Sequence, residues 1–433
     1  MIRLIRVLWS YFRARRLVFD TREALLRYQK HRVEEFRRQL VARSPYYRQF
    51  AGKAVEEWPE SDKSSMLANF DAMNTAGLRL QEVFDTAMAA EQSRDFRSKL
   101  GDVNVGLSSG TSGQRAAFAI SDKEAAIWAG VMLARMLPDG LLAGERVALF
   151  LRANNNVYES VRARWLSFRF FDLFNDFEAN LQALSDYRAS ILVAPAQVLR
   201  EIALRVLAGN VAICPKRVIS VAEVLDAHDR RLLEQAFPQV HEVYQATEGF
   251  LASTCEQGRL HLNEEYLMIE PRWLDAEQRR FVPVITDFTR LTQPFVRYRL
   301  DDVLIASERP CECGRVTRAL DAVEGRCDDA LLLPGRAGQR LTVFADVLTR
   351  VFARNLPRAA DYALIQRGAT RLSLHATLDP SGLALLQQQL CEALENLGVQ
   401  IGEITWESHG SVPASGEGRK RRRIRRESMV GHA

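Results

Sequence analysis

Four hydroxyls and two glycines fall within six residues at Ser108-Ser109-Gly110-Thr111-Ser112-Gly113, inside VNVGLSSGTSGQRAAFAIS, residues 103–121. Glycines let a backbone turn tightly and approach a ligand. Successive N–H groups in such a turn make an anion-binding concavity, to which hydroxyls add donors. Arg115 puts a cation at the exit, and a guanidinium grips phosphate as a planar fork. The stretch therefore reads as a phosphate cradle between two strands. Ser, Thr and Gly are also ordinary turn residues, so a plain hairpin stays open on composition alone. A Walker loop is excluded, because the Gly-Lys-Ser/Thr ending is missing.

A second chemical cluster is Tyr244-Gln245-Ala246-Thr247-Glu248-Gly249, with an aromatic ring, a hydroxyl and a carboxylate at a strand end. Open α/β sheets place ligands there. A carboxylate is also a natural ligand for a hard cation shared with phosphates. A third cluster is Cys255 and His261, in CEQGRLH, with Cys311 and Cys313 further on. Together these supply the Cys3His set of a closed structural zinc site, and Gly258 suits a hairpin between the first two. Four protein ligands leave no open position, so the expected role is structural. Cys214, Cys327 and Cys391 are read as packing residues.

These motifs carry a resemblance. The Ser/Gly loop resembles the ATP-phosphate loop of acyl-adenylate-forming enzymes, in the variant of phenylacetate–CoA ligases and the synthetases that adenylylate a deazaflavin cofactor. Gln114-Arg115 stands where many members carry Pro-Lys. The resemblance implies that Ser108, Ser109, Gly110, Thr111, Ser112, Gly113 and Arg115 hold the β- and γ-phosphates of ATP. It implies that Ala222, Glu223 and Tyr244 frame adenine, that Thr247 meets the α-phosphate, and that Glu248 binds Mg²⁺. FVRYRLDDV, 295–303, resembles the family's Tyr-Arg-Thr-Gly-Asp motif, whose last residue, here Asp302, holds the ribose. Leu300-Asp301 replaces Thr-Gly, and Arg299 and Asp301 are further candidates. Relatives of phenylacetate–CoA ligase show a similar Cys/His arrangement, implying zinc on Cys255, His261, Cys311 and Cys313. Gly325-Arg326-Cys327-Asp328-Asp329 resembles the hinge between a large and a small domain, with Arg326 a nucleotide-binding candidate. In this family a lysine near the C-terminus reaches the reacting carboxylate, and Lys420 in VPASGEGRKRRRIRRES is the candidate here. SPYYRQF and the stretch 58–78 resemble the family's opening region.

The elements that must position these residues follow from length and pattern. At 433 residues, two domains are expected. Apolar content near half indicates a soluble globular chain. The cysteines suit a reducing compartment and a cytoplasmic protein. The net charge of +5 is concentrated at the ends. Residues 419–427 carry seven cations and one acid, and residues 1–48 carry thirteen cations and four acids. The body is net acidic, which argues against a nucleic-acid binder. MIRLIRVLWSYFRARRLVF is broken by arginines, so it neither spans a membrane nor forms a signal peptide. A helix docked on the body is the expected reading, with contact to anionic lipid as the rival.

Residues 1–50 and 79–100 read as helical. A helix is expected over 122–137, with Ser121 as cap and Glu124 completing a capping box. RVALFLR (146–152), ASILVAP (189–195) and RVISVAE (217–223) read as buried strands. Helices at 155–168, 178–187 and 196–208 and one running to Phe237 alternate with them, giving α/β layering. HEVYQATEGFLAST (241–254) reads as the next strand. PVITDF and FVRYRL read as strands around a turn. From 330 the pattern is a small α+β domain: helix 342–355, strands 360–367 and 370–378, helix 381–397, strand 401–407. The boundaries expected are 1–324, a hinge at 325–329, and 330–433. The basic tail is otherwise a solvated charge run.

The activity implied is ATP-dependent adenylation of a carboxylic acid, with an aromatic acid as a candidate, followed by transfer to coenzyme A. Transfer to a carrier-protein thiol in trans or to an amine, and a non-catalytic adenylate-binding scaffold, are the alternatives. The acid is expected among apolar and aromatic side chains of 128–177 and 244–252. The sequence leaves a homodimer open.

Overall fold

Short apolar runs bounded by Gly, Pro and polar residues become the buried strands of one large sheet. The computed structural model describes all residues except 1, 94–97, 108–114, 138, 152–165, 174, 327–329, 337, 344, 358, 414–421 and 428–433. The main sheet has twelve strands among the described residues. Leu166–Asp172, Glu145–Leu151, Ile191–Ala194, Arg217–Ser220 and Val240–Ala246 lie side by side in that order, all parallel. From Val240–Ala246 the pairing turns antiparallel, through Gly249–Thr254, Leu260–Leu262, Ala319–Arg326, Asp302–Ala306, Arg280–Asp287 and Leu267–Trp273.

Both faces of the parallel half are covered, which is why its strands are apolar throughout. Val147, Leu149, Ile191, Val193 and Ile219 face the helix Asp122–Met136 in one core. Their neighbours Ala148, Phe150, Leu192, Ala194 and Val218 face Phe177–Tyr187, Ala196–Leu207 and Ala227–Ala236 in another. The strand period of two separates the cores. The capping box is formed: Ser121 N and Oγ both donate to Glu124 Oε2, at 2.8 and 2.7 Å.

The hairpin Val103–Leu107 and Ala117–Ser121 brackets the Ser/Gly loop, with Gly106 directly across from Phe118. A Cβ on Gly106 would stand 2.4 Å from the Phe118 ring, so glycine is required there. Residues 287–293 anchor this hairpin. Gln293 accepts from Ala119 N at 2.7 Å and donates to the Ala117 carbonyl at 3.1 Å. Arg290 donates to the Ala119 carbonyl at 3.2 Å.

A separate core is drawn from residues between Leu331 and Ile424. Its sheet runs Thr405–His409, Arg371–Ala376, Tyr362–Gln366, Ile424–Arg426, with helices Ala345–Asn355 and Pro380–Asn396. Asp379 caps the second helix through Gly382 N at 2.7 Å, with Pro380 in its first turn.

Several readings change: the strand expected over 401–407 is a 3-10 turn, Ile401–Glu403, before the strand Thr405–His409, and Lys99–Leu100 pairs as a strand where a helix was expected over 79–100. The stretch 241–254 is two antiparallel strands turned at Thr247-Glu248, because Gly249 resets the chain between two apolar runs. Residues 166–168 belong to a strand where a helix was expected, since LSFRFFD alternates with period two. The tail is not a solvated run at 424–426: Ile424–Arg426 pairs in parallel with Tyr362–Gln366, with Ile424 buried in the core. Cys214 is exposed rather than packed.

Candidate active site

A cavity of about 270 Å³ opens where the sheet changes from parallel to antiparallel. The Val240–Ala246 strand end and the Thr247-Glu248 turn form one wall, with Tyr244, Thr247 and Glu248 all facing it. Asp301 and Asp302 come from the start of Asp302–Ala306, and Gly325 from the strand beside it. Tyr244 Oη donates to Asp302 Oδ2 at 2.6 Å, joining two of the sequence motifs. The register sets Asp302 opposite Arg326, at the end of Ala319–Arg326.

Ala222 and Glu223 supply the opposite wall, after the strand Arg217–Ser220. Ala222 has φ +65°, a left-handed conformation that alanine rarely adopts. Such strain concentrates at ligand sites. Gln197 N donates to Glu223 Oε2 at 3.2 Å, fixing that carboxylate at the start of Ala196–Leu207. Ser220 is buried and lines the cavity, and its hydroxyl has no protein partner.

Burial and the neighbouring charge of Asp302 push the Glu248 carboxyl above the usual range, against a hydrogen bond from Tyr298 and the cation of Arg290. Burial and the Glu248 charge raise the Tyr298 phenol as well. Arg290 holds the turn from behind, donating to the Thr247 carbonyl at 2.8 Å.

Of the remaining candidates, Ser108 to Gly113 and Lys420 lie outside the described residues. Their flanks are described. Ala116, after the Ser/Gly loop, lines the same cavity as Glu248, and so do Arg422 and Arg423, just after Lys420 in the chain. Arg115 is turned to Glu91, with contacts of 2.8 and 2.5 Å, and does not line the cavity. Sequence reasoning missed Lys63. It lines the cavity from the start of Lys63–Ala68, a helix capped by Asp62 through Ser65 N at 2.8 Å. The bridge from Ser61 to Tyr298, with Arg299 N donating to the Ser61 carbonyl at 2.8 Å, brings it there. The DK pair after WPES was the available signal.

Cys255, His261, Cys311 and Cys313 converge away from this cavity, their ligand atoms all within 4.8 Å of one another. Gly258, at φ +76°, turns the hairpin as expected. Cys255 Sγ and Cys311 Sγ are 3.7 Å apart, and Cys313 Sγ lies 3.4 Å from His261 Nε2. A tetrahedral zinc with Zn–S near 2.3 Å sets its sulfurs roughly 3.8 Å apart, so the spacing fits. His261 Nδ1 sits 3.1 Å from the Thr317 carbonyl oxygen. A proton on Nδ1 donated there leaves Nε2 for a metal.

A second, small cavity of about 20 Å³ is bounded by Trp128, Phe250, Tyr266, Asp287 and Arg290, among others. Trp128 Nε1 is buried without a protein partner. Through Arg290 it backs onto the Thr247 carbonyl and so onto the main cavity.

Solved structures share this architecture across nearly the whole chain. A 2-hydroxyisobutyryl-CoA ligase, in the postadenylation state with 2-HIB-AMP, matches with TM-score 0.68 and 14% identity, over 92% of this chain and 89% of that one. This chain has that ligase's fold. An anthranilate CoA ligase, AuaEII, bound to anthranoyl-AMP, matches the same fold with TM-score 0.52 and 14% identity, over 73% and 66% of the two chains. ATP-bound MatB from Rhodopseudomonas palustris matches with TM-score 0.50 and 14% identity, over 74% and 67%. No family model matches the sequence, and no curated protein matches it. In this chain the switch in the sheet, the Thr247-Glu248 turn and the C-terminal residues Ala345, Thr349 and Tyr362 all meet at one cavity.

Proposed function

We propose that this protein activates a carboxylic acid as its acyl-adenylate and passes the acyl group to the thiol of coenzyme A. The observation that carries the reading is the convergence of Tyr244, Thr247, Glu248, Asp302 and the flank of the Ser/Gly loop on a single cavity. The fold shared with AMP-bound CoA ligases supports it. In the first step a carboxylate oxygen bonds to the α-phosphorus of ATP and pyrophosphate leaves. In the second the thiol sulfur bonds to the acyl carbon, AMP leaves, and the thiol proton is released.

Ala222, Glu223 and Tyr244 frame adenine, and the Tyr244–Asp302 pair presents a carboxylate to the ribose hydroxyls, with Arg326 beside it in register. Ser108 to Gly113 and Arg115 hold the β- and γ-phosphates. For Arg115 this requires release from Glu91, and Lys63 is a cation already on the cavity wall. Glu248 holds Mg²⁺, which when bound neutralises phosphate charge. Thr247 meets the α-phosphate, and Lys420 offsets charge at phosphorus as a preorganised cation. Residues 325–329 are the hinge between domains 1–324 and 330–433. The four Cys/His ligands hold a structural zinc.

The acid lies on the Trp128 side of the Thr247 turn. As folded, the described cavity there has room for about one water, so an acid requires Trp128 or Tyr266 to turn. ATP–pyrophosphate exchange across a panel of aryl, aliphatic and amino acids tests the reading. Exchange followed by thioester formation on adding coenzyme A supports it. Exchange without thioester redirects the second step to a carrier thiol or an amine. No exchange with any acid leaves a nucleotide-binding scaffold.

A further inference from the structure

The first helix, Ile2–Arg16, has two faces with opposite fates. On one, Val7, Tyr11 and Ala14 are buried in the main core, and Ser10 Oγ donates to the Ile127 carbonyl at 2.8 Å. The approach to Asp122–Met136 is so close that a Cβ on Gly130 would stand 2.5 Å from the Val7 carbonyl oxygen. Arg15 reinforces the docking through the Leu137 carbonyl at 3.2 Å. The helix is therefore pinned to the body.

The opposite face is apolar and open. Ile5, Trp9 and Phe12 are 58%, 57% and 52% exposed. Their spacing of four and three residues puts them on one stripe. At 3.6 residues per turn, Arg6 and Arg13 flank that stripe and Arg16 continues it. The Arg13 guanidinium lies over the Trp9 ring, 5.2 Å from its centroid. The helix holds five arginines and no acid, and Val18 just beyond it is 76% exposed.

We propose that this face docks on an anionic lipid surface, with the helix lying in the plane of the membrane. A bilayer interface satisfies both halves of the pattern at once. Ile5, Trp9 and Phe12 enter the acyl boundary, where tryptophan is favoured, and Arg6, Arg13 and Arg16 reach lipid phosphates. The arginine stems cover apolar surface while their heads stay at the phosphate level. Spanning is excluded for the described helices, none of which is long and apolar enough to cross a membrane. A second copy of the chain fits the face worse. Two-fold packing of the stripe on itself would set one all-arginine helix against another, with no acid on either to pair. Because the helix is already docked on the body, binding does not pay for folding it.

The test uses the full chain and flotation with vesicles of phosphatidylcholine alone, or mixed with phosphatidylglycerol. The expected result is flotation with the anionic vesicles only, weakening as salt rises. Trp9→Glu lowers the partition coefficient by about tenfold or more, with the melting temperature unchanged. Trp9→Phe keeps binding but loses the lipid-dependent blue shift of tryptophan emission. If Trp9→Glu alters folding, the rim pair Arg6→Glu and Arg13→Glu gives the same reading while leaving Ile5, Trp9 and Phe12 in place. Failure of the native protein to float overturns the proposal. So does flotation indifferent to both sets of changes, which assigns lipid binding to the basic run 419–427. A dimer in solution that Trp9→Glu dissociates also overturns it, giving the face to a second copy.

Discussion

Arg423 forks onto Asp229 at 2.7 and 2.9 Å, across 194 residues. The same guanidinium also pairs with Asp226 and, at 3.2 Å, with Asp361, and it stacks over the Tyr362 ring at 4.8 Å. Tyr362 Oη donates to Asp226 at 3.1 Å. Arg200, 2% exposed, completes the network with Asp229 at 2.9 Å and the Ala359 and Ala360 carbonyls at 2.8 and 2.9 Å. Burial opposes ionisation of Asp226, but the Arg423 charge outweighs it and holds the carboxyl below its ordinary value.

Removing Arg423 strands buried carboxylates, and breaking such a pair costs about 3–5 kcal/mol. Arg423→Ala is expected to lower stability by that order in chemical denaturation. Arg423→Lys, which keeps the charge but not the fork, is expected to recover part of it. A loss below about 1 kcal/mol would mean that solvent already screens this network.

The Tyr244–Asp302 hydrogen bond is expected to orient the ribose-facing carboxylate. A hydrogen bond to a charged group contributes about 1.5–3 kcal/mol, so Tyr244→Phe should raise the KM for ATP about tenfold or more. The turnover number should change little, because the Thr247-Glu248 turn is untouched. Asp302→Ala should be worse. Equal KM values for native protein and Tyr244→Phe would remove Asp302 from the nucleotide.

Metal analysis of purified protein should give one zinc per chain. Cys311→Ser and Cys313→Ser should each lose it and melt lower, since a closed structural site contributes folding energy directly. Retained stoichiometric zinc in either variant would refute the ligand assignment.

Asp287 gives a pH signature. Burial, with Arg290 partly offsetting it and Glu124 adding to it, pushes its carboxyl from 3.8 to about 6. Thr289 N and Oγ1 donate to it at 2.8 and 2.6 Å. A raised folded-state value means that the folded chain binds the extra proton. This contribution to stability is full below about pH 4 and is lost as pH rises through about 6. Asp287→Asn should flatten the pH dependence of the denaturation midpoint across that window. An unchanged slope would assign the titration elsewhere.

Much of the molecule was written locally. The capping box at Ser121 and Glu124 and the strands 145–151, 191–194 and 217–220 follow from nearest-neighbour physics, where propensity and apolar period agree. The cluster of Cys255, His261, Cys311 and Cys313 was legible because these residue types have few other uses together. Local pattern failed where long-range contact decides. Residues 241–254 read as one strand because only the antiparallel partner reveals the turn at Thr247-Glu248. Lys63 reaches the cavity only through the Ser61–Tyr298 bridge, which no spacing announces. The arginine-rich tail read as solvated because charge runs usually are. Tertiary structure buried Arg423 instead, since three carboxylates converge where one strand ends. Sequence determined which side chains could do chemistry. The fold decided which of them meet, because meeting depends on the register of a twelve-stranded sheet and on contacts hundreds of residues apart.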